Sequence, residues 1–294
     1  MTLAPNSPSN SGCGSDNGTD RKAGCGDDDG TDRRRRALSA DDRLSADLRD
    51  AAARLAAARR VVVYTGAGVS KESGISTFRD PGEGLWARYD PMQLATAEAY
   101  ARDPAFVWRW YMDRFGLIEQ AAPNPGHHAL AELERLVSLT IVTQNIDGLH
   151  QRAGSSDVIE LHGSAHRYKC VGERHTGFTL AQVTGSDEAP PRCPRCGDLI
   201  RPDVVWFGEA LPAAALERAL DLASRCDVLI AVGTSGVVYP AALVPATAHQ
   251  AGAALIDVNP EPDAFVSVAD WFLQGPGGEV LPRLVDEMKR QREE

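Results

Sequence analysis

Five short runs of apolar, largely β-branched residues constrain the fold of this chain more than any other feature. They read VVVYT from residue 61, LTIVT from 139, VIEL from 158, VLIAV from 228 and ALIDV from 254, and helical or loop sequence separates each from the next. Strands that are apolar on both faces and alternate with helices are typical of a parallel sheet covered on both sides. The sequence therefore predicts an α/β fold with helices on both faces of a parallel sheet.

A polar loop follows each predicted strand, and the loops read GAGVS (66–70), QNIDG (144–148), HGS (162–164), GTS (233–235) and NP (259–260). Because open α/β sheets bind ligands beyond the carboxyl ends of their strands, we expect these loops to form one site. Gly66 and Gly68 allow the backbone to approach a phosphate at a helix N-terminus. Lys71 stands where the usual dinucleotide motif has its third glycine, so the glycines alone are compatible with a nucleotide site or with a tight turn.

The charge distribution bears on the partners of the protein. The net charge is -10, and residues 1–36 contribute nothing to it because six aspartates there balance five arginines and one lysine. An acidic body argues against a nucleic-acid partner and suits basic partners such as lysine-bearing peptides. The N-terminus has no apolar signal segment, and glycines and prolines interrupt the uncharged span 228–256, so we expect a cytoplasmic protein without a membrane helix.

Two segments depart from the α/β pattern. Residues 1–37 contain an imperfect repeat, GCGSDNGTDRK and GCGDDDGTDRR, and their lack of large apolar residues predicts a disordered tail. A folded body over 38–294 follows, and its first segment has helical spacing, with Ser45 or Asp47 as the expected N-cap. Between 165 and 203 an insert with cysteines and prolines predicts a separate small module.

The motifs together resemble those of the sirtuins, a family of NAD-dependent protein lysine deacylases. GAGVSKESGISTFR, TQNIDGLH, LHGS, a cysteine insert, VVWFGE, GTS and VNP occur in the order of that family. The resemblance implies a Rossmann-like sheet with a smaller lobe, helical over roughly 82–125 and zinc-binding over 165–203. It also implies that NAD is a co-substrate and that acyl-lysine proteins or peptides are the partners.

The resemblance implies a catalytic role for His162. The acyl-lysine oxygen attacks the ribose carbon that carries nicotinamide, nicotinamide leaves, and His162 acts as general base on the ribose hydroxyls so that the acyl group migrates. Asn145 and Asp147 match residues that hold the nicotinamide carboxamide, and Gln144 matches a ribose contact. The NAD site implied by the resemblance comprises Gly66, Ala67, Gly68, Ser70, Phe78, Arg79, Gln144, Asn145, Ile146, Asp147, Gly233, Thr234, Ser235, Asn259, Pro260 and Gly277. His127, His128 and His150 match no catalytic residue, and we expect structural roles for them.

VVWFGE resembles the edge that pairs with the substrate backbone, which implies contacts from Val205, Phe207, Gly208 and Glu209. The stretch RDPAFVWRWYMDRF (102–115) predicts a helix, with Asp103 as N-cap and Pro104 at its first position. On that helix Tyr111 and Arg114 share a face. One sirtuin subclass carries this Tyr-x-x-Arg pair with a small residue, matched by Ala95, that widens the acyl pocket. The match implies a preference for succinyl- and malonyl-lysine, since Arg114 and the Tyr111 hydroxyl can bind the distal carboxylate.

The metal site implied by the family departs from the usual pattern. Sirtuins carry two CxxC pairs around a structural zinc, whereas this chain has one, at Cys193 and Cys196, and reads CVGE from Cys170. Zinc prefers four ligands, so Glu173 or His175 is needed as the fourth. The alternative is a module without zinc that is held by packing. We expect Cys226 to be a core residue.

Three other functions are compatible with the same motifs: a plain lysine deacetylase, a protein mono-ADP-ribosyltransferase and a catalytically silent NAD-sensing module. The intact His162, Asn145 and Asp147 argue against the silent module, because binding alone needs no histidine. We expect a monomer that deacylates lysine and binds neither nucleic acid nor membrane.

Overall fold

The structure is a computed structural model that describes residues 39–76, 90–183 and 189–293. The predicted disordered tail lies outside the described residues, as do Phe78 and Arg79 of the predicted NAD site. Within the described ranges, no helix has the length and apolarity needed to cross a bilayer. The uncharged span 228–256 instead contains strand, loop and helix pieces, as its glycines and prolines predicted.

A parallel sheet forms the centre of the larger part of the fold. Its strands are β1 (Arg60–Thr65), β2 (Ser138–Thr143), β3 (Val158–Glu160), β6 (Val228–Val232), β7 (Ala254–Asn259) and β8 (Trp271–Gln274). They pair in the order β3-β2-β1-β6-β7-β8, and every pairing is parallel. The predicted parallel sheet is confirmed, and β8 adds a strand that the five apolar runs did not predict. The order reverses on either side of β1, which creates the crevice where such sheets bind ligands.

Helices cover both faces of the sheet, which confirms the predicted fold class. The described helices are α1 (Ala40–Ala56), α2 (Ala97–Arg102), α3 (Pro104–Gln120), α4 (Pro125–Leu133), α5 (Leu149–Ala153), α6 (Leu180–Val183), α7 (Ala213–Ala223), α8 (Leu243–Gln250) and α9 (Gly277–Glu293). α1, α4 and α9 pack on one face through fully buried side chains such as Leu55, Leu130 and Leu284. Each such leucine contributes about 1.5–3 kcal/mol to the free energy of unfolding. α7 and α8 cover the opposite face.

The start of α1 differs from the prediction. The helix begins at Ala40, so Ser45 and Asp47 lie inside it and neither is the N-cap. Asp41 and Asp42 occupy the first turn, where negative charge stabilises the helix dipole. This arrangement allows the helix to begin about two turns earlier than its apolar spacing suggested.

A second cluster of structure lies beside the sheet. β4 (Gly163–Cys170) and β5 (Ile200–Val204) form a two-stranded antiparallel sheet, against which Trp108, Tyr111 and Phe115 of α3 are buried. Asp103 caps α3 by accepting a hydrogen bond of 3.0 Å from the Phe106 amide, and Pro104 follows it, as predicted. The cluster therefore positions the face of α3 that carries Tyr111.

Candidate active site

The loops after β1 and β6 touch through their glycines. The Gly68 amide donates a 2.8 Å hydrogen bond to the Gly233 carbonyl. A Cβ on Gly66 would lie 2.8 Å from the Gly233 oxygen, and one on Gly68 would lie 2.7 Å from the Gly233 Cα. Gly233 itself has a φ of 57°, which side-chain-bearing residues rarely adopt. These glycines are thus required for the two loops to touch. This structural requirement adds to the close approach of a phosphate, which was the role that the sequence indicated.

Polar side chains from the loops after β1 and β2 form one hydrogen-bonded chain. Asn145 Nδ2 lies 3.1 Å from both the Gly66 carbonyl and Ser70 Oγ, and Ser70 donates a 2.8 Å bond to Asp147. The other Asp147 oxygen accepts from the Leu149 amide at 2.9 Å. Burial raises the pKa of Asp147, while its two hydrogen bonds oppose that effect. Because the Asn145 amide nitrogen is used by the protein, its oxygen is the atom left to accept from a ligand.

The network continues across the crevice to the loops after β6 and β7. Gln144 Nε2 donates to Thr234 Oγ1 at 2.8 Å, and Asn259 Nδ2 donates to the Thr234 carbonyl at 3.0 Å. Ser235 and Pro260 lie exposed at the rim of these loops. These four loops therefore meet at one edge, as the strand endings predicted.

Two further residues of the predicted NAD site lie deeper. Gly277 is buried at the start of α9, and a Cβ there would lie 3.2 Å from Val232 Cγ1. Ile146 is half-buried, and its carbonyl accepts a 2.8 Å hydrogen bond from the Ala165 amide. Ala67 begins a 3-10 helix that ends at Ser73, so a helix N-terminus follows Gly66 as the motif predicted, although the helix is short and of the 3-10 type.

His162 lies two residues beyond β3 and is oriented by the protein backbone. Its Nδ1 is 2.8 Å from the Gln144 carbonyl oxygen. A carbonyl oxygen only accepts, so Nδ1 carries the hydrogen and Nε2 is the basic nitrogen. Burial lowers the pKa of His162, and the bond to Gln144 partly offsets that effect. The imidazole is therefore neutral at pH 7 and has the tautomer that a general base needs.

The other histidines adjacent to this edge have structural positions. His127 completes a capping box with Asn124 at the start of α4. His150 is buried, and its Nε2 lies 3.0 Å from Thr65 Oγ1. Burial lowers the pKa of His127 to about 4 and that of His150 to about 3, so both are neutral at pH 7. His128 is exposed.

The VVWFGE segment crosses from β5 towards His162. The Val205 amide donates a 3.0 Å bond to the His162 carbonyl, and the Phe207 amide donates a 2.8 Å bond to the Ala95 carbonyl. Only the first residue of the segment belongs to β5; Gly208 has a φ of 86° and lies in a turn. The Glu209 carboxylate points inward to Arg201, so its side chain contacts the protein interior.

The predicted acyl-recognition residues lie together beside that segment. Ala95 and Tyr111 are buried, and Arg114 is half-buried one turn along α3 from Tyr111. Burial lowers the pKa of Arg114, and the nearby Tyr111 counteracts it. The Tyr111 hydroxyl accepts a 2.9 Å hydrogen bond from Trp206 Nε1. Arg114 therefore lies near Tyr111 and is not a fully exposed surface charge.

Four side chains form a compact metal-ligand set in the cysteine insert. The ligand atoms of Cys170, His175, Cys193 and Cys196 all lie within 4.8 Å of one another. His175 Nδ1 is 4.0 Å from Cys170 Sγ and 3.5 Å from Cys193 Sγ. Tetrahedral zinc with its usual bond lengths places ligand atoms roughly 3.5–3.8 Å apart, so the two His175 distances are near those of a zinc site and the set is compatible with zinc.

Glu173, the other candidate for the fourth ligand, points elsewhere. Its carboxylate binds Lys169 Nζ at 2.7 Å, and its side chain is largely exposed. His175 therefore completes the set by its position. Cys226 lies apart in the core, where burial raises the pKa of its thiol to about 11, as expected for a packing residue.

Comparison with known proteins identifies the family. The Sir2 family profile matches residues 66–240, which is more than half of the chain. The chain belongs to the Sir2 family. A sirtuin from Pyrobaculum aerophilum named NAD-dependent protein deacylase 2 is 57% identical over 238 residues, which cover 81% of this chain and 94% of the relative. NAD-dependent protein deacylase 1 of Pseudomonas aeruginosa is 52% identical over 237 residues, covering 79% and 95%.

Solved sirtuin structures superpose on the described fold. A Sir2 homologue in complex with NAD gives a TM-score of 0.75 at 45% identity and covers 82% of this chain and 93% of that chain. A Sir2 protein bound to a myristoylated histone peptide gives 0.69 at 38% identity, covering 85% and 99%. The structural likeness thus extends over nearly the full length of these sirtuins.

Two contact residues of this sirtuin were absent from the predicted site. Trp206 and Arg201 both contact residues that the sequence did indicate, Tyr111 and Glu209 respectively. Side chains in an extended segment alternate between its two sides, so Trp206 faces opposite to Val205 and Phe207. That alternation within VVWFGE is the signal that could have predicted an inward role for Trp206.

Proposed function

We propose that this sirtuin is an NAD-dependent protein-lysine deacylase that transfers the acyl group of a modified lysine to ADP-ribose and releases nicotinamide. The observation that carries the proposal is the orientation of His162, whose Nδ1 is held by the Gln144 carbonyl while Nε2 is left as the base. The names of the two deacylase relatives support the same activity.

The residues around His162 fit the NAD co-substrate. The Asn145 oxygen is an acceptor suited to a carboxamide N–H, because Gly66 and Ser70 occupy the Asn145 nitrogen. Asn259 is held by Thr234 in the same way and likewise presents an acceptor, which suits a ribose hydroxyl. The glycine loops bring these groups within reach of one ligand.

The acyl-lysine peptide binds along residues 204–209 in this proposal. The backbone that follows β5, before the turn at Phe207 and Gly208, can pair with a peptide main chain, so many lysine contexts are tolerated. Arg114 and Tyr111 give the pocket a cation and a hydroxyl, which suits succinyl and malonyl groups better than acetyl. Deacetylation is a second, weaker activity.

We further propose that the protein acts as a cytoplasmic monomer and that residues 1–37 are dispensable for turnover.

Zinc in the cysteine insert has a structural role in this proposal. Cys170, His175, Cys193 and Cys196 hold it, and zinc supplies folding energy to the module without taking part in the reaction. Cys170 is the last residue of β4, and Gly163, which follows His162, is the first. The cluster therefore lies at the end of β4 away from His162, which is consistent with a structural role.

The full chain is incubated with NAD and with matched succinyl-, malonyl- and acetyl-lysine peptides, and products are followed by mass spectrometry. We expect nicotinamide and acyl-ADP-ribose to form in equal amounts and only when an acylated peptide is present. An unmodified-lysine peptide is the control. Nicotinamide release that is independent of the acyl group, with ADP-ribose on the protein or peptide, would instead establish mono-ADP-ribosyl transfer.

A further inference from the structure

Trp206 and Tyr111 form a buried hydrogen bond at the proposed acyl pocket. Their exposed fractions are 3% and 5%, and Trp206 Nε1 lies 2.9 Å from the Tyr111 oxygen. The two residues come from α3 and from the segment after β5, which are brought together only by packing.

The direction of this bond determines what the tyrosine can do. An indole N–H only donates, so the Tyr111 oxygen must accept from Trp206. The tyrosine proton is then directed to a different partner, and burial raises the pKa of Tyr111, which keeps that proton on the oxygen. Tyr111 is therefore committed to donating, and its ligand must be an acceptor.

The indole is itself fixed on both sides. The Arg201 guanidinium lies 3.3 Å from the Trp206 ring centroid, and the Tyr100 ring lies against it with centroids 5.3 Å apart. Arg201 is held by the Glu209 carboxylate, with one contact of 2.9 Å, and by the Val204 carbonyl at 2.8 Å. The Trp206 amide also donates to Glu209 at 2.9 Å. The ring cannot turn its N–H away from Tyr111 without breaking this arrangement.

We propose that Trp206 is a specificity-determining positioning residue, which orients the Tyr111 hydroxyl so that it donates to the distal carboxylate of an acidic acyl group. The inference rests on the proposed acidic-acyl preference and deepens it. A carboxylate has only acceptors, so a hydroxyl that is fixed as a donor favours it, whereas the methyl of an acetyl group gains nothing from that hydroxyl. Trp206 acts through Tyr111 and does not touch the reacting atoms.

The test is Trp206→Phe, which removes the N–H and keeps an aromatic ring over Arg201. We expect KM for a succinyl-lysine peptide to rise about 2- to 10-fold more than KM for the matched acetyl-lysine peptide, as for the loss of one neutral hydrogen bond, so that the succinyl-to-acetyl ratio of kcat/KM falls by that factor. Tyr111→Phe should show a similar or larger loss, and the double variant should lose no more than Tyr111→Phe. Trp271→Phe, a half-buried tryptophan on β8, is the matched control and should leave the succinyl-to-acetyl ratio unchanged.

A spectroscopic measurement covers the case in which Trp206→Phe folds poorly. The indole ¹⁵N–H resonance of Trp206 in the full chain should shift in Tyr111→Phe, which has lost the acceptor. An unshifted resonance overturns the inference, as does an equal rise of KM for succinyl and acetyl peptides in Trp206→Phe.

The acyl preference of the wild-type enzyme distinguishes a wrong role for Trp206 from a wrong acidic-acyl proposal. If the wild type favours succinyl-lysine and Tyr111→Phe lowers that preference while Trp206→Phe does not, only the role of Trp206 is wrong. If the wild type strongly prefers acetyl-lysine, the acidic-acyl proposal is wrong, and the role of Trp206 is overturned with it.

Discussion

Replacing His162 by alanine tests the proposed chemistry most directly. The Gln144 carbonyl, 2.8 Å from Nδ1, leaves Nε2 as the base, so alanine removes the proposed proton acceptor without removing a core side chain. A positioned general base contributes about 10²- to 10⁴-fold to a rate, and we expect kcat for deacylation to fall by at least that factor. The melting temperature should change little, because the side chain is only half-buried in a loop.

The same geometry predicts the pH dependence of the wild type. A general base works in its unprotonated form, so activity is full above the His162 pKa and is lost as pH falls through it. Burial lowers that pKa from the ordinary value of 6.5. The acid limb of kcat/KM should therefore have its midpoint below pH 6.5, and His162→Ala should not show this limb.

The assay measures acyl-ADP-ribose by mass spectrometry together with exchange of labelled nicotinamide into NAD. Because His162 acts after nicotinamide has left, exchange should persist in His162→Ala while product formation is lost. His128→Ala, which changes an exposed histidine on α4, is the matched control and should behave as wild type. Product formation by His162→Ala within a few-fold of wild type, or an acid limb centred above pH 6.5, would refute the reasoning.

Three further predictions follow from the structure. Arg114→Met should lower kcat/KM for succinyl-lysine by tenfold or more, since a charge-assisted bond contributes about 1.5–3 kcal/mol, and should leave acetyl-lysine largely unaffected; equal loss of both in peptide assays would contradict acyl recognition. His175→Ala should reduce zinc content and melting temperature, whereas Glu173→Ala should change neither, and the reverse pattern in metal analysis would make Glu173 the ligand. Burial and the neighbouring Asp263 raise the pKa of Asp257 to about 7. Because the unfolded chain loses this proton at lower pH than the folded protein does, Asp257 lowers the free energy of unfolding as pH rises from 4 to above 7. Asp257→Asn should therefore stabilise the protein in urea unfolding by a few kcal/mol more at pH 8 than at pH 4, and equal margins at both pH values would show that Asp257 is not perturbed.

The sequence predicted the central strands because each is buried on both faces and therefore reads as an unbroken apolar run. It did not predict β8, a four-residue strand at the sheet edge in which only Leu273 is fully buried, so the pattern is weak. It also placed the start of α1 too late, since Ser45 and Asp47 are common N-cap types that here lie inside the helix. Local signals thus located the elements that are buried and were weak at edges and ends.

The fourth metal ligand is a second feature that local sequence could not specify and that packing resolves. The sequence left Glu173 and His175 open, because both follow Cys170 within a few residues. Packing resolves the choice, since Lys169 holds Glu173 outside while the chain returns His175 to the cysteines.

The parallel sheet and the polar loops at its carboxyl edge could be predicted from the sequence, because strand periodicity and glycine turns are local properties. Three features became visible only in the folded chain: which nitrogen of His162 carries the hydrogen, the inward direction of the Glu209 carboxylate, and the hydrogen bond from Trp206 to Tyr111. The last of these joins residues 95 positions apart. Such contacts depend on how α3 packs against β4 and β5, and no local pattern of residues encodes the direction in which a hydroxyl must donate.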